Sequence, residues 1–242
     1  MSAMYSTLHE SGHAIYEQNI DEDLEQYGLA NGSSMGMHES QSRLYENMIC
    51  RSRAFAGVLL PKLQGLFDFF AKWDEGKLFR AVNITRPSLI RIEADELTYS
   101  LHIMVRYELE KALMTGEIKA ADLPGLWDDK YEELLGVRQN NMAEGVLQDV
   151  HWSGGTIGYF PSYAIGTAYG AQWMNEIKKT VDVDAAIKSQ DLSPVSGWLK
   201  ENMYKHGMSM TPGELLLKAT GEPFNVKYYI DYLKEKFTGL YL

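Results

Sequence analysis

Apolar side chains recur at helical spacing through most of this chain, and no strictly alternating run longer than four or five residues interrupts them. Residues 2 to about 19 predict a first helix, with Met4, Leu8, Ala14 and Ile15 as its apolar stripe. A polar, acidic stretch follows, and the Gly/Ser-rich segment 30–36 predicts a loop. A second helix is expected from about Met37 to Gln64, bent near Pro61. Asn83 to Ser88, with Pro87, predicts a break. From Ser88 to Met114, Leu89, Ile92, Leu97, Leu101, Met104 and Leu109 again recur at roughly helical spacing, and Gly116 supplies a stop. A shorter helix is expected after Pro124, with Trp127, Tyr131 and Leu134 on one side.

Gly154, Gly155 and Gly158 mark a turn, after which Ser162–Lys179 predicts a helix rich in small residues, suited to close backbone packing. Ser193-Pro194 and Thr211-Pro212-Gly213-Glu214 both predict helix starts, the second with a capping-box glutamate. The last helix begins near Asn225 and carries Tyr228, Tyr229, Tyr232 and Phe237. With no internal repeat and no linker, the pattern predicts a single, mainly α-helical domain over residues 1–242 with little β structure.

Composition narrows the function. At 242 residues and 45% hydrophobic content the chain is long enough to bury a substantial core. A net charge of −10 argues against nucleic acid or an anionic membrane as the main partner. With no signal-peptide pattern and no apolar run of membrane-spanning length, the expected location is cytoplasmic. The single cysteine, Cys50, excludes an internal disulfide and suits a reducing compartment. Its helical surroundings predict a small buried hydrophobe rather than a nucleophile.

The chemistry begins at His9-Glu10-Ser11-Gly12-His13. On a helix, residues four apart differ by about 40° in azimuth and about 6 Å along the axis. Both imidazoles then face one way and can share a metal ion, while Glu10 is placed to take a proton from a water that the metal activates. A catalytic site needs a third protein ligand. It is not a histidine of the extended motif, because positions 16 and 19 are Tyr16 and Asn19. Glu39, just past the loop that lets the chain reverse, is the favoured candidate. Glu17, on the motif's own helix, is the rival, and its geometry would be strained. A di-iron bundle is excluded, because no histidine other than His13 has a glutamate three residues before it.

Four motifs then occur in order: His9–His13; His38-Glu39-Ser40-Gln41; Ile90-Arg91-Ile92-Glu93-Ala94-Asp95; and Gly145-Val146-Leu147-Gln148-Asp149-Val150-His151-Trp152. In this order and spacing the chain resembles, over nearly its whole length, the M32 metallocarboxypeptidases, the thermostable carboxypeptidase Taq family. The resemblance implies a helical zincin-like fold with a deep groove over the metal, usually as a homodimer. It implies removal of C-terminal residues from peptides with broad specificity. It makes His9, His13 and Glu39 the ligands of a zinc ion that cobalt can replace, with Glu10 the general base. Family members are longer and carry H-P-F and D-x-R-x-T motifs upstream, neither of which occurs here. The chain is therefore expected to correspond to the C-terminal catalytic half. A metal-binding but catalytically silent, peptide-binding domain is the alternative.

Other residues take roles mainly through that resemblance. A guanidinium binds a carboxylate bidentately, which suits Arg91 as a grip on the substrate's terminus. By position alone Arg91 reads as the helical partner of Asp95. His151 alone reads as a structural hydrogen-bonder, and the resemblance makes it a donor to the oxyanion or the substrate backbone. Tyr159 and Tyr163 resemble the paired tyrosines that follow such a histidine in related helical zinc peptidases, for transition-state and carboxylate hydrogen bonding. Gln148 and Asp149 are expected to orient a ligand histidine. His102 and His206 are expected to be structural.

Overall fold

The computed structural model describes residues 2–242. Its helices are α1 (Ser2–Glu17), α2 (Met35–Arg43), α3 (Arg53–Leu66), α4 (Glu75–Val82), α5 (Tyr99–Met114), α6 (Leu123–Leu135), α7 (Pro161–Ile177), α8 (Val183–Lys188), α9 (Ser193–Asn202), α10 (Pro212–Thr220) and α11 (Lys227–Tyr241). The described residues contain no strand, as the apolar periodicity predicts. They form two compact units, one of residues up to Val82 together with Ile165–Leu242, the other Asn83–Ala164.

The first unit is built on α1 and α2, which run antiparallel. Tyr5 Oη donates to the Cys50 carbonyl at 3.4 Å near one end, and the His13 and His38 rings meet near the other. What lets these helices approach is Gly12. A Cβ there would lie 2.6 Å from the Gln41 carbonyl oxygen and from Ser42 Cα. α7 also approaches α2 closely: a Cβ at Gly166 would lie 2.7 Å from Glu39 Cβ. The small residues of α7 therefore serve the close packing that their composition predicts. Tyr16, Leu44, Ile49, Trp173, Leu199 and Leu215 are among the side chains fully withdrawn from water in this core.

The predicted second helix is interrupted. α2 runs into a π-helical turn over Leu44–Ile49, and a short turn separates it from α3. Ser52 adopts an extended backbone and its Oγ accepts from Phe55 N at 3.1 Å, so a new N-cap starts α3 where the periodicity runs on unbroken. Pro61 lies inside α3 and does not end it. Cys50 is buried, and burial, reinforced by the Glu46 charge, pushes its thiol up to about 12, as befits a packing residue.

In the second unit α5 and α6 pack through Val105, Leu109, Trp127, Tyr131 and Leu135. The helix expected from Ser88 starts only at Tyr99. Asp95 is the reason: one carboxylate oxygen accepts from Leu97 N and Thr98 N, both at 3.0 Å, and the other from Thr98 Oγ1. That local bonding lets the helix begin only past Asp95, and the preceding segment forms a 3₁₀ turn, Arg91–Glu93, held by Glu93 N donating to the Ile90 carbonyl. The helical Arg91–Asp95 pair does not form.

Candidate metal centre

α1 carries His9 and His13, and α2 presents Glu39 to both. His9 Nε2 and His13 Nε2 lie 3.7 and 3.6 Å from Glu39 Oε2. The three ligand atoms fall within 4.8 Å of one another. Ligands about 2.1 Å from a tetrahedral ion sit roughly 3.4 Å apart, so two imidazoles and one carboxylate at these separations fit a divalent ion. Glu10, on the same helix, is exposed and outside the donor set.

Glu39 is buried and its second oxygen is already engaged, since Arg43 Nε donates to Oε1 at 2.9 Å. Oε2 is thereby left toward the histidines. Burial pushes the Glu39 carboxyl up, but hydrogen bonding with His13 and the charge of Arg43 outweigh it and hold it at about 2. Sequence reasoning missed a second buried carboxylate, Glu46, in the π-helical turn. Its Oε2 lies 3.0 Å from His9 Nδ1, and Arg51 Nη2 donates to its Oε1 at 3.0 Å. Burial again acts upward, and His9, Arg43 and Arg51 hold this carboxyl too at about 2. The signal was present: Glu46 lies seven residues after Glu39, on the same face of a helix. Gln148 and Asp149, expected to orient a ligand histidine, instead bind arginines within the second unit.

There, Asp149 Oδ1 accepts from Arg91 Nη2 at 2.7 Å and Oδ2 from Arg106 Nε at 2.6 Å. Gln148 Oε1 accepts from Arg91 N and from Arg106 Nη2, both at 2.8 Å. Arg91 is 6% exposed, and its Nη1 also donates to Tyr99 Oη at 2.9 Å. Binding a substrate carboxylate would have to use its remaining N–H bonds. Arg91, His151, Tyr159 and Tyr163 are brought together. The Arg91 guanidinium lies 4.8 Å from the Tyr163 ring centre, His151 Nε2 is 3.1 Å from Tyr163 Oη, and the tyrosine rings pack edge to face at 5.2 Å. Val150, Ser153, Gly154 and Thr156 join His151 and the two tyrosines around an open pocket. Burial, the charge of Arg91 and, more weakly, that of Arg106 push the His151 imidazolium pKa down, against Asp149. Glu110, which carried no sequence signal, fixes the turn bearing these residues. It accepts from Trp152 Nε1 and from Gly158 N, both at 2.7 Å.

Residues 1–237 match the family model for carboxypeptidase Taq (M32) metallopeptidases. The chain belongs to this family. It is 47% identical to carboxypeptidase 1 of Bacillus subtilis, a match covering 100% of this chain and 48% of that protein. Thermostable carboxypeptidase 1 of Pyrococcus furiosus is 43% identical, over 96% of this chain and 47% of that one. The crystal structure of the M32 carboxypeptidase from Deinococcus radiodurans superposes with a TM-score of 0.95 at 43% identity, covering 99% of this chain and 49% of that one. The M32 chain thus spans about half the length of the relatives it matches. No helix among its described residues is long and apolar enough to cross a membrane.

Proposed function

We propose that this chain supplies the metal-binding, catalytic part of a zinc-dependent carboxypeptidase that removes C-terminal residues from peptides with broad specificity. The observation that carries the reading is the convergence of His9 Nε2, His13 Nε2 and Glu39 Oε2, with Glu10 on the same helix outside the ligand set. When bound, zinc or a substituting cobalt ion supplies a Lewis-acidic centre that polarises the scissile carbonyl and makes water acidic. Glu10 takes the proton from the attacking water and returns it to the leaving amine. His151, Tyr159 and Tyr163 donate hydrogen bonds to the substrate's carbonyl and terminal carboxylate. Arg91 contributes positive charge to that carboxylate while its inward contacts hold Asp149. A cytoplasmic homodimer acting on peptides completes the proposal.

The test is metal content and hydrolysis measured on one preparation. The expected result is one equivalent of zinc in the wild type and clearly less in Glu39→Gln. Release of the last residue should occur from a peptide with a free C-terminus and not from its amide. Glu10→Gln should keep the metal and lose turnover. A chain that takes up no metal, or hydrolysis indifferent to Glu10, would overturn the reading.

A further inference from the structure

His38 opens the second motif beside the ligand Glu39, and neither its sequence context nor the ligand set gives it a task. The structure does. His38 Nδ1 lies 3.2 Å from His13 Nδ1, and on the far side of the ring His38 Nε2 lies 2.5 Å from Glu17 Oε1. Resting on the assignment of His13 as a metal ligand through Nε2, we propose that the His38–Glu17 pair is a positioning device that fixes His13 for metal binding.

The protons follow from valence. A metal-facing Nε2 must offer a lone pair, so the neutral His13 ring carries its proton on Nδ1. That N–H needs an acceptor, and His38 Nδ1 is the atom in reach. His38 must then carry its own proton on Nε2, where Glu17 accepts it. One carboxylate thus selects the tautomer of two rings in series, the arrangement by which outer groups orient metal-bound imidazoles.

The surroundings hold the pair in place. Glu17 Oε1 also accepts from Gly32 N at 3.0 Å, and Tyr16 Oη accepts from Ser33 N at 3.1 Å, so the 30–36 loop is tied to the end of α1. A Cβ at Gly32 would lie 2.5 Å from His38 Cδ2, so the loop backbone packs closely against the ring. Glu17, weighed in the sequence only as a rival ligand, acts here two rings removed from the metal.

The experiment compares His38→Phe with His38→Asn, reading cobalt affinity by chelator competition and the visible spectrum of the cobalt-loaded chain. Phe keeps the ring and its packing but has no acceptor. Asn loses the ring but places an amide oxygen near the position of Nδ1. The expected result is an affinity loss of about 10- to 100-fold with an altered spectrum in His38→Phe, and substantially recovered affinity in His38→Asn. Equal wild-type-like affinity and spectra in both variants would overturn the proposal, and so would the reverse ranking, which marks a packing role. His13→Ala is the separate control: if it binds cobalt as the wild type does, the ligand assignment fails rather than the role of His38.

Discussion

Glu46 Oε2 sits 3.0 Å from His9 Nδ1, across the imidazole from the Glu39 carboxylate that meets the ring's other nitrogen. His9 is thus held between two glutamates from consecutive stretches of one helical run. Glu39 faces its Nε2, and Glu46 can accept a hydrogen bond from its Nδ1. Arg43 spans both carboxylates, with Nε on Glu39 Oε1 at 2.9 Å and Nη1 on Glu46 Oε2 at 3.4 Å. Arg51 adds a second cation and stacks 4.0 Å from the centre of the Tyr5 ring.

Replacing Glu46 tests this arrangement. Glu46→Gln keeps an oxygen for His9 Nδ1 but removes a charge that Arg43 and Arg51 share. Glu46→Leu removes both. Metal affinity should fall about 10-fold for the first and about 100-fold for the second, in the range expected when an outer partner of a ligand histidine is lost. Isothermal titration with zinc reads the effect. Unchanged affinity in Glu46→Leu would show that the contact does not orient His9.

Helix approach is the second target. At Gly12 a Cβ would meet α2 backbone at 2.6 Å, and backbone has nowhere to rotate. Gly12→Ala should therefore cost about 1–3 kcal/mol through overpacking and also weaken metal binding, because α1 and α2 carry the proposed ligands. Gly197, exposed inside α9, is the contrast, since a Cβ added there would have no neighbouring atom within 4 Å. Gly197→Ala should stabilise by about 0.5–1 kcal/mol. Urea unfolding of both variants distinguishes packing from propensity.

How much of this could be read in the sequence depends on how local the determinants are. His9 and His13 were legible as a candidate pair because a shared ion demands imidazoles at a spacing the helix dictates, whereas Glu39 was reached only through the loop reversal before it and the second motif. Helix existence was legible from spacing too. The break at Ser52 was not, since a short turn resumed the apolar pattern nearly in phase. The helix expected from Ser88 failed because Leu89, Ile92 and Leu97 keep helical spacing without a buried stripe: Ile92 is 74% and Leu97 38% exposed. The capping carboxylate of Asp95 decides the boundary there. Arg91 and Asp149 lie 58 residues apart, and no periodicity encodes such a pair.

Asp149 bears two buried cations. Arg106 is fully buried, and Arg91 and Asp149 side chains are 7% and 8% exposed. Burial pushes the Asp149 carboxyl up, while Arg106 and Arg91 more than compensate and bring it below the usual carboxylate range. Asp149→Asn keeps the shape and strips the charge, leaving both guanidinium groups without their shared anion. Breaking a buried network in this way costs about 3–5 kcal/mol. Thermal unfolding followed by the fluorescence of Trp127 and Trp152 should register it, and a shift no larger than that of a surface Asp→Asn would contradict the network's role.

Acid sensitivity should come in part from His102. Its ring is fully buried, and burial, with the charges of Arg106 and Arg91, lowers its pKa from 6.5 to about 3. The folded state resists a proton that the unfolded chain binds readily. Stability from this group is therefore complete above about pH 6.5 and declines as pH falls toward 3. One such group contributes a slope of up to about 1.4 kcal/mol per pH unit. Urea unfolding of metal-free protein between pH 5.5 and 7.5, above the ordinary carboxyl range so that Glu39 and Glu46 stay largely ionised folded or unfolded, should show a shallower slope in His102→Gln than in the wild type. Parallel slopes would mean that His102 accepts its proton without penalty.

The contact of His151 Nε2 with Tyr163 Oη at 3.1 Å separates substrate chemistry from metal binding. Neither residue belongs to the ligand set, and both line the open pocket of the second unit. Burial and the Arg91 charge push the His151 imidazolium pKa down and so favour the neutral ring, in which only one of the two nitrogens donates. The Tyr163 hydroxyl, engaged with Nε2, shares in deciding which one. His151→Leu, which has no donor, should lower kcat by about 10²- to 10³-fold, the scale of losing one donor to a developing oxyanion. Tyr163→Phe should cost less, because it leaves His151 in place while freeing the choice of tautomer. Both variants should retain one equivalent of zinc and the wild-type cobalt spectrum. A joint loss of metal and turnover would place these residues in the framework of the fold, and unchanged kcat in His151→Leu would remove it from the chemistry.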